Sequence, residues 1–185
     1  RESVPLVVQP VPPFEPPFLR NGKLLIAQTA NILLYLGQEL SLAPTNGTGL
    51  LWTHQLQLTM ADFVTEAHDT HHPVGNSLYY EEQKREAKRY AEQFRKNRVP
   101  KYLGYFETVL SRNPKGDRYL VGARLTYADL SLFEIVAGMR YAFPKLMKRS
   151  EKKYPLVIAL ADRVADRPRI TAYLGSKRRL PYDQV

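Results

Sequence analysis

Two neighbouring polar residues, Gln28 and Thr29, directly follow a short apolar run and open a helical pattern that ends at Gly37. The first N–H groups of a helix lack intrahelical partners, and the helix dipole is positive at that end, so a carboxylate can bind there. Gln28 and Thr29 therefore form a candidate anion site. An ordinary polar helix start is the alternative interpretation of the same pair.

The densest group of possible metal ligands is His68, Asp69, His71 and His72. His68 and His72 have the i,i+4 spacing that two zinc ligands can use on one helix face. The glutamate of the metalloprotease motif is missing, and Pro73 ends the helix at once. We therefore assign no metal here and interpret the group as polar residues at a fraying helix end, with a place in the lining of a site or interface as the alternative.

Further acidic and aromatic residues follow the same helical stretch. Asp62, Glu66 and Asp69 share one flank of a helix and could bind an ammonium group, but such acidic stripes are usually solvated. Four tyrosines are able to line an apolar ligand pocket, although aromatic residues at helical spacing belong more often to a core. These tyrosines are Tyr79, Tyr80, Tyr102 and Tyr105.

Composition narrows the classes of function. The 185 residues contain no cysteine, which excludes disulfides, thiolate catalysis and cysteine-ligated zinc within this sequence. No apolar run approaches the roughly 20 residues that span a bilayer, so no membrane partner is expected. The net charge of +9 favours binding to a polyanion, and eight basic residues lie from Lys84 to Lys101. Acidic residues alternate with them, as on a solvated face, so a nucleic-acid partner is not expected.

The elements that must position these residues are a hairpin and a series of helices. Asn21-Gly22 between two short apolar runs predicts an antiparallel hairpin. Six prolines among residues 1–17 exclude a helix there. Helical patterns cover residues 30–37, 50–71, 80–110 with a kink or turn at Pro100, 126–141, 155–166 and 168–174, and the tail 177–182 is expected to be irregular.

The strongest helix signal begins at Thr126. Thr126 and Asp129 have the spacing of a capping box, in which the acid reaches back to the start of the helix. The residues that follow are apolar around nearly the whole circumference, so this helix is predicted to be central and surrounded by other elements.

Three motifs in this order resemble the glutathione S-transferases. The hairpin from Pro17, followed by Gln28-Thr29 and a short helix, is similar to the end of that family's thioredoxin-like domain. Leu120-Val121-Gly122 with Thr126-Tyr127-Ala128-Asp129 resembles its helix-capping box, and the segment 166–174 resembles its C-terminal helix. The resemblance extends from about residue 13 to the C-terminal region.

The resemblance implies an α+β fold, with a partial thioredoxin-like α/β domain followed by an all-α helical bundle. The implied domains are residues 1–39 and 50–185, joined by a linker at 40–49. In the family, the catalytic Tyr, Ser or Cys ends the first strand of the thioredoxin-like domain. Nothing in this chain corresponds to that strand, so the catalytic residue is unknown and is expected upstream of Arg1. Either the first strand and helix were left out of this sequence or the protein is a true fragment, and the first alternative is favoured.

The resemblance also implies a function and its residues. It implies a cytoplasmic, homodimeric transferase that conjugates the thiolate of glutathione, its co-substrate, to a small apolar electrophile. Pro17 at the cis-proline position, Phe18, Gln28 and Thr29 are assigned to glutathione, with Gln28 and Thr29 on its γ-glutamyl carboxylate. Pro16 has no N–H to donate to the cysteinyl part.

Two points stay open in this resemblance. An acidic residue from the partner's long helix often meets the glutathione amine in the family, and Glu66 or Asp69 is the possible match. The alternative function is a non-catalytic interaction module built on the same domains.

Overall fold

The computed structural model describes residues 12–182. Strands β1 (Phe18–Asn21) and β2 (Leu24–Ala27) form the predicted antiparallel hairpin. Gly22 occupies the turn with φ of 59°, a left-handed conformation that costs glycine little. Residues 12–17 form neither helix nor strand, while the rest of the proline-rich segment lies outside the described residues.

Helices make up most of the chain after β2. A 3₁₀ turn at Tyr80–Glu82 precedes α3, and a π-helical turn at Phe94–Arg98 joins α3 to α4. The helices are α1 (Thr29–Glu39), α2 (Gly47–His68), α3 (Lys84–Gln93), α4 (Val99–Ser111), α5 (Tyr127–Ala142), α6 (Pro144–Ser150), α7 (Pro155–Ala165) and α8 (Pro168–Leu174).

The helices differ from the sequence-based prediction at α2, at α6 and near Pro100. Helix α2 starts at Gly47, because Asn46 caps it by accepting a hydrogen bond from Gly49 N–H at 2.7 Å. The helix ends at His68. Helix α6 was not predicted. The irregularity expected at Pro100 takes the form of the π-helical turn just before it, which leaves Pro100 in the first turn of α4, where proline is tolerated.

The core forms around α5, as its apolar circumference predicts, and the helix starts at the predicted capping box. Asp129 accepts hydrogen bonds from the backbone N–H of Thr126 at 2.7 Å and of Leu120 at 2.8 Å, and from the Thr126 hydroxyl at 2.8 Å. Helix α5 packs against α1, α2, α6 and α7. Leu132 and Val136 are fully buried in that core. The prediction of a central helix is therefore confirmed.

Helix α1 packs onto the helical part through a glycine. Gly37 is buried, and a Cβ added there would overlap the ring of Tyr127 at the start of α5. The backbone N–H of Tyr127 also donates to Leu42 O at 2.8 Å. These contacts join the hairpin and α1 to the helices that follow.

The architecture confirms the predicted α+β class, a small sheet with one helix followed by an all-helical segment. The last three residues of the predicted linker, 47–49, lie in the first turn of α2. Between residues 12 and 182, no helix combines the length and apolar character needed to cross a membrane.

Candidate functional site

The four residues assigned to glutathione lie at one end of the hairpin. Phe18 pairs with Ala27 in the antiparallel register, so Pro17, one residue before Phe18, lies at the same end as Gln28. Thr29 then begins α1. The hairpin thus brings together the pairs Pro17-Phe18 and Gln28-Thr29, which are eleven positions apart in sequence.

The backbone around these residues has two unusual features. The Pro16–Pro17 peptide bond is cis, as the resemblance implies for Pro17. Gln28 has φ of 68° and ψ of 118°, outside the regions that L-residues commonly adopt. Such conformations concentrate at ligand sites, where the surrounding structure holds them in place.

The start of α1 keeps its donors available. The first intrahelical bond runs from Ile32 N–H to Gln28 O at 2.9 Å, so the N–H groups of residues 29–31 precede the first bonded turn. Gln28 makes no side-chain capping bond, and the first turn contains no acidic residue. Gln28 and Thr29 are both exposed. This arrangement can bind a carboxylate through backbone donors and the positive end of the helix dipole.

Beside them, Pro17 and Phe18 are exposed, and Phe18 retains 50% of its surface. Pro16 offers a carbonyl oxygen but no N–H at the position before the cis bond. A peptide-like ligand at this end of the hairpin would therefore meet an acceptor from Pro16 and an apolar surface from Phe18.

Glu66 is not part of a solvated acidic stripe. Its carboxylate receives hydrogen bonds from Arg98 Nε at 2.7 Å, Arg98 Nη2 at 2.6 Å and the Tyr102 hydroxyl at 2.7 Å. The hydrogen bond from Arg98 is the main cause of a pKa of Glu66 below its usual value of 4.5. The stripe interpretation is wrong for this residue, because a partner from the π-helical turn reaches it.

Arg98 is the residue in this cluster that the sequence did not reveal. It lies 32 positions from Glu66, so helical spacing could not pair them. The i,i+4 spacing of Arg98 and Tyr102 was the one sequence pattern that could have indicated a contact of Arg98 in this cluster. In the structure the Arg98 guanidinium lies 5.1 Å from the Tyr102 ring centroid. Burial is the main cause that raises the pKa of Tyr102 to about 12.

The four tyrosines divide between core and surface. Tyr102 is buried and stacks on Phe63 with 4.4 Å between ring centroids, and Tyr105 packs against the core. Tyr79 and Tyr80 are 78% and 39% exposed. The core interpretation therefore holds for two of them, and the other two belong to the surface after α2.

The histidines lie where α2 ends. His68 is the last helical residue, so His68 and His72 do not share a helix face, but their rings stack at 5.2 Å between centroids. Asp69 Oδ1 lies 3.5 Å from His68 Nδ1. Burial is the main cause that lowers the pKa of His71. Across residues 12–182, no three His, Cys, Asp or Glu side chains are arranged to hold a metal ion.

Gln83 organises the loop after these histidines, a role that no local sequence pattern predicts. It is 1% exposed, and its amide contacts the backbone of Val74, Gly75 and Leu78 at 3.0 to 3.5 Å. Its Nε2 also lies 3.3 Å from Nδ1 of His72. A buried amide that forms hydrogen bonds with several backbone groups of a loop stabilises one conformation of that loop.

Known proteins are similar in sequence to this chain over most of its length. Glutathione S-transferase P 1 of Xenopus laevis is 28% identical over 164 residues, which cover 88% of this chain and 69% of that protein. A glutathione S-transferase of Plasmodium falciparum is 27% identical over 176 residues, covering 92% of this chain and 74% of that protein.

Solved structures show the same fold. Prostaglandin synthase D of Nilaparvata lugens matches with a TM-score of 0.72 at 23% identity, covering 90% of this chain and 76% of that one. The Pi-class glutathione S-transferase of Onchocerca volvulus matches with a TM-score of 0.68 at 23% identity, covering 86% and 69%. The hairpin with α1 and the helices after it are consistent with a partial thioredoxin-like domain and a helical domain.

A family model described as "Glutathione S-transferase, C-terminal domain" matches residues 68–177, more than half of the 185 residues. This segment includes the π-helical turn, the capping box and helices α3 to α8. The chain belongs to the glutathione S-transferase family.

Proposed function

We propose that this protein is a glutathione transferase that binds glutathione at the open end of the hairpin and transfers its thiolate to a small apolar electrophile. One observation carries the proposal. The hairpin register brings Pro17 and Phe18 to the same end as the uncapped start of α1, where Gln28 and Thr29 are exposed. The relatives named glutathione S-transferases support the same activity.

Each glutathione contact has a physical reason. The γ-glutamyl carboxylate would accept hydrogen bonds from the first N–H groups of α1 and from the Gln28 amide and Thr29 hydroxyl. Phe18 and Pro17 would lie along the cysteinyl part. In this arrangement Pro16 lacks a usual donor, so the peptide would rely more on its carboxylate.

Thiol activation would use a hydrogen bond to the charged form of sulfur, which lowers the thiol pKa. The family places the Tyr, Ser or Cys that makes this bond in the first strand of the thioredoxin-like domain, so we expect it before Arg1. Residues 1–39 would then be the remaining part of that domain and residues 50–185 the helical domain. We expect a cytoplasmic protein whose conjugation reaction serves detoxification.

Glutathione titration of a Gln28→Ala/Thr29→Ala variant by calorimetry tests the binding site. Hydrogen bonds to a charged group contribute about 1.5–3 kcal/mol each, so we expect at least roughly tenfold weaker binding. Gln38→Ala/Thr48→Ala is the matched control, because both residues are exposed and lie away from the start of α1. Equal affinities of the two variants would contradict the proposed site.

The alternative function, a non-catalytic interaction module, is favoured by Pro16, which cannot donate a backbone hydrogen bond. A conjugation assay distinguishes the interaction module from the glutathione transferase. A full-length preparation that binds glutathione but conjugates no aryl halide electrophile would support the module, whereas measurable conjugation would support the transferase.

A further inference from the structure

Nearly all of the net positive charge lies in one stretch near the C-terminus. Residues 144–180 contain eleven Lys and Arg and three Asp and Glu, a net +8 of the +9 carried by the whole chain. The charge is densest at residues 145–153, which hold five basic residues and one acid, Glu151. This segment is distinct from residues 84–101, to which the sequence first drew attention.

Helix α6 and the turn after it present these charges on one side. Lys145, Lys148, Arg149 and Lys152 follow the i, i+3, i+4, i+7 spacing of a helix face. Glu151 keeps helical dihedrals, φ −54° and ψ −37°, so the turn continues past the end of α6. Together with Lys153, these residues form a surface that we name the α6 basic face; all five are exposed.

The opposite side of α6 anchors it rigidly in the core. Met147 is 1% exposed and Ser150 is 7% exposed. At the two ends of the segment, Phe143 packs on Phe94 with 5.7 Å between ring centroids, and the Tyr154 hydroxyl donates to Pro100 O at 3.2 Å. The backbone positions from which these cations extend are therefore set by the fold.

The nearby acids do not neutralise the α6 basic face. Glu151 accepts from Arg140 Nε at 2.9 Å, and Arg140 also binds Asp162 at 2.9 Å. Within residues 12–182, none of the five cations of the face forms an ion pair. Arg95 extends the positive surface, since it is exposed and its guanidinium lies 6.0 Å from the ring centroid of Phe143.

The side chains of the face narrow the chemistry of its partner. Residues 145–153 contain no Asn, Gln or aromatic residue, so they offer neither amide pairing with base edges nor a stacking platform for bases. Four of the five cations are lysines, which act as point charges without the bidentate geometry of arginine. The apolar side of α6 is used inside the protein and is not available for insertion into lipid.

We propose that the α6 basic face docks this protein on anionic membrane surfaces through acidic phospholipid headgroups. Clusters of four to eight basic residues bind such surfaces, because the surfaces carry a high density of negative charge on laterally mobile headgroups. The binding is peripheral and electrostatic, and it is independent of glutathione. It requires no membrane-spanning segment.

Cosedimentation with vesicles tests the proposal. The probe is a vesicle of 70% phosphatidylcholine and 30% phosphatidylserine in 0.1 M NaCl. Each lysine near such a surface contributes about fivefold to the partition constant, so Lys145→Gln/Lys148→Gln/Lys152→Gln should bind roughly a hundredfold more weakly. Raising NaCl to 0.5 M should release the parent protein, because salt screens the attraction.

The matched control is Arg85→Gln/Lys88→Gln/Arg89→Gln, which removes the same charge from exposed positions of α3. We expect it to bind within about fivefold of the parent, with both variants showing the unfolding midpoint of the parent. Equal weakening by the two variants would overturn the proposal, since net charge alone would then drive binding. Equal binding to pure phosphatidylcholine, or tighter binding to duplex DNA than to vesicles at the same phosphate concentration, would also overturn it.

Discussion

Glu66 shows how one long-range contact changes the meaning of a residue. Exposed, it would offer a charge to a ligand ammonium group; in the structure its carboxylate is held by Arg98 and Tyr102. The Glu66 side chain is 23% exposed and that of Arg98 is 38% exposed, so the pair is partly shielded from water. Asp69, the other candidate, lies beside His68 at the end of α2.

Glu66→Gln should lower the free energy of unfolding by about 1–2 kcal/mol, since it removes the charge from hydrogen bonds that Arg98 and Tyr102 donate, and partial exposure limits the loss. Chemical denaturation at pH 7 measures the effect. Asp62→Asn, one turn earlier on α2 and exposed, is the control and should be nearly neutral.

The same variant has a defined pH dependence. The pKa of Glu66 is lowered on folding, chiefly by Arg98, so its stabilisation is present above the unfolded value and is lost as pH falls through the folded value. The stability difference between Glu66→Gln and the parent should therefore shrink below the usual pKa of 4.5. A difference that stays constant from pH 7 to acid pH would contradict the role assigned to the ion pair.

The contact between α1 and α5 depends on a glycine against an aromatic ring. Tyr127 is 1% exposed, its hydroxyl has no hydrogen-bond partner within residues 12–182, and burial raises its pKa to about 12. Gly37 allows α1 to approach this ring closely. The sequence predicted both helices but not that they meet here.

Gly37→Ala should destabilise the protein by roughly 1–3 kcal/mol, because the new methyl group overlaps the Tyr127 ring and the core must shift. The double variant Gly37→Ala/Tyr127→Leu should recover part of that loss. Thermal unfolding of both variants and of Tyr127→Leu gives the coupling energy. Additive effects would show that α1 and α5 do not meet through these two side chains.

For the whole molecule, the exposed leucines of α2 bear on the homodimer that the family resemblance leads us to expect. Leu51 is 73% exposed and Leu58 is 49% exposed, and their i,i+7 spacing places them on one side of the helix. Exposed apolar side chains that align in this way often mark protein interfaces. We therefore expect this side of α2 to take part in the dimer.

Sedimentation equilibrium should give about twice the chain mass of 21.3 kDa for the parent protein. Leu51→Glu/Leu58→Glu should shift the mass to that of one chain, because like charges would face each other across a two-fold axis. Ala159→Glu/Ala172→Glu adds the same charge at exposed positions of α7 and α8, away from this side of α2, and should leave the mass unchanged. Dimers that persist in the leucine variant would place the interface elsewhere.

Local patterns in the sequence predicted most elements of the fold. Asn21-Gly22 specified the hairpin, Thr126 and Asp129 specified the start of α5, and prolines specified the starts of α7 and α8. These signals act within a few residues, so they can be recognised without knowing the fold. Helix α6 was missed because three of its seven residues are charged and its few apolar residues are too few to show a helical period; the burial of Met147 identifies the side that faces the core.

The sequence alone determined the candidate anion site at Gln28 and Thr29, because a polar helix start after a strand is a local feature. The tertiary structure decided which distant residues contact these local sites and whether their charged groups are paired. It brought Pro17 and Gln28 to the same end of the hairpin and paired Glu66 with Arg98 across 32 positions. Among residues 12–182 it also left the α6 cations without acidic partners. Hydrogen bonds and charge pairing act through space at a few ångströms, so these outcomes depend on packing.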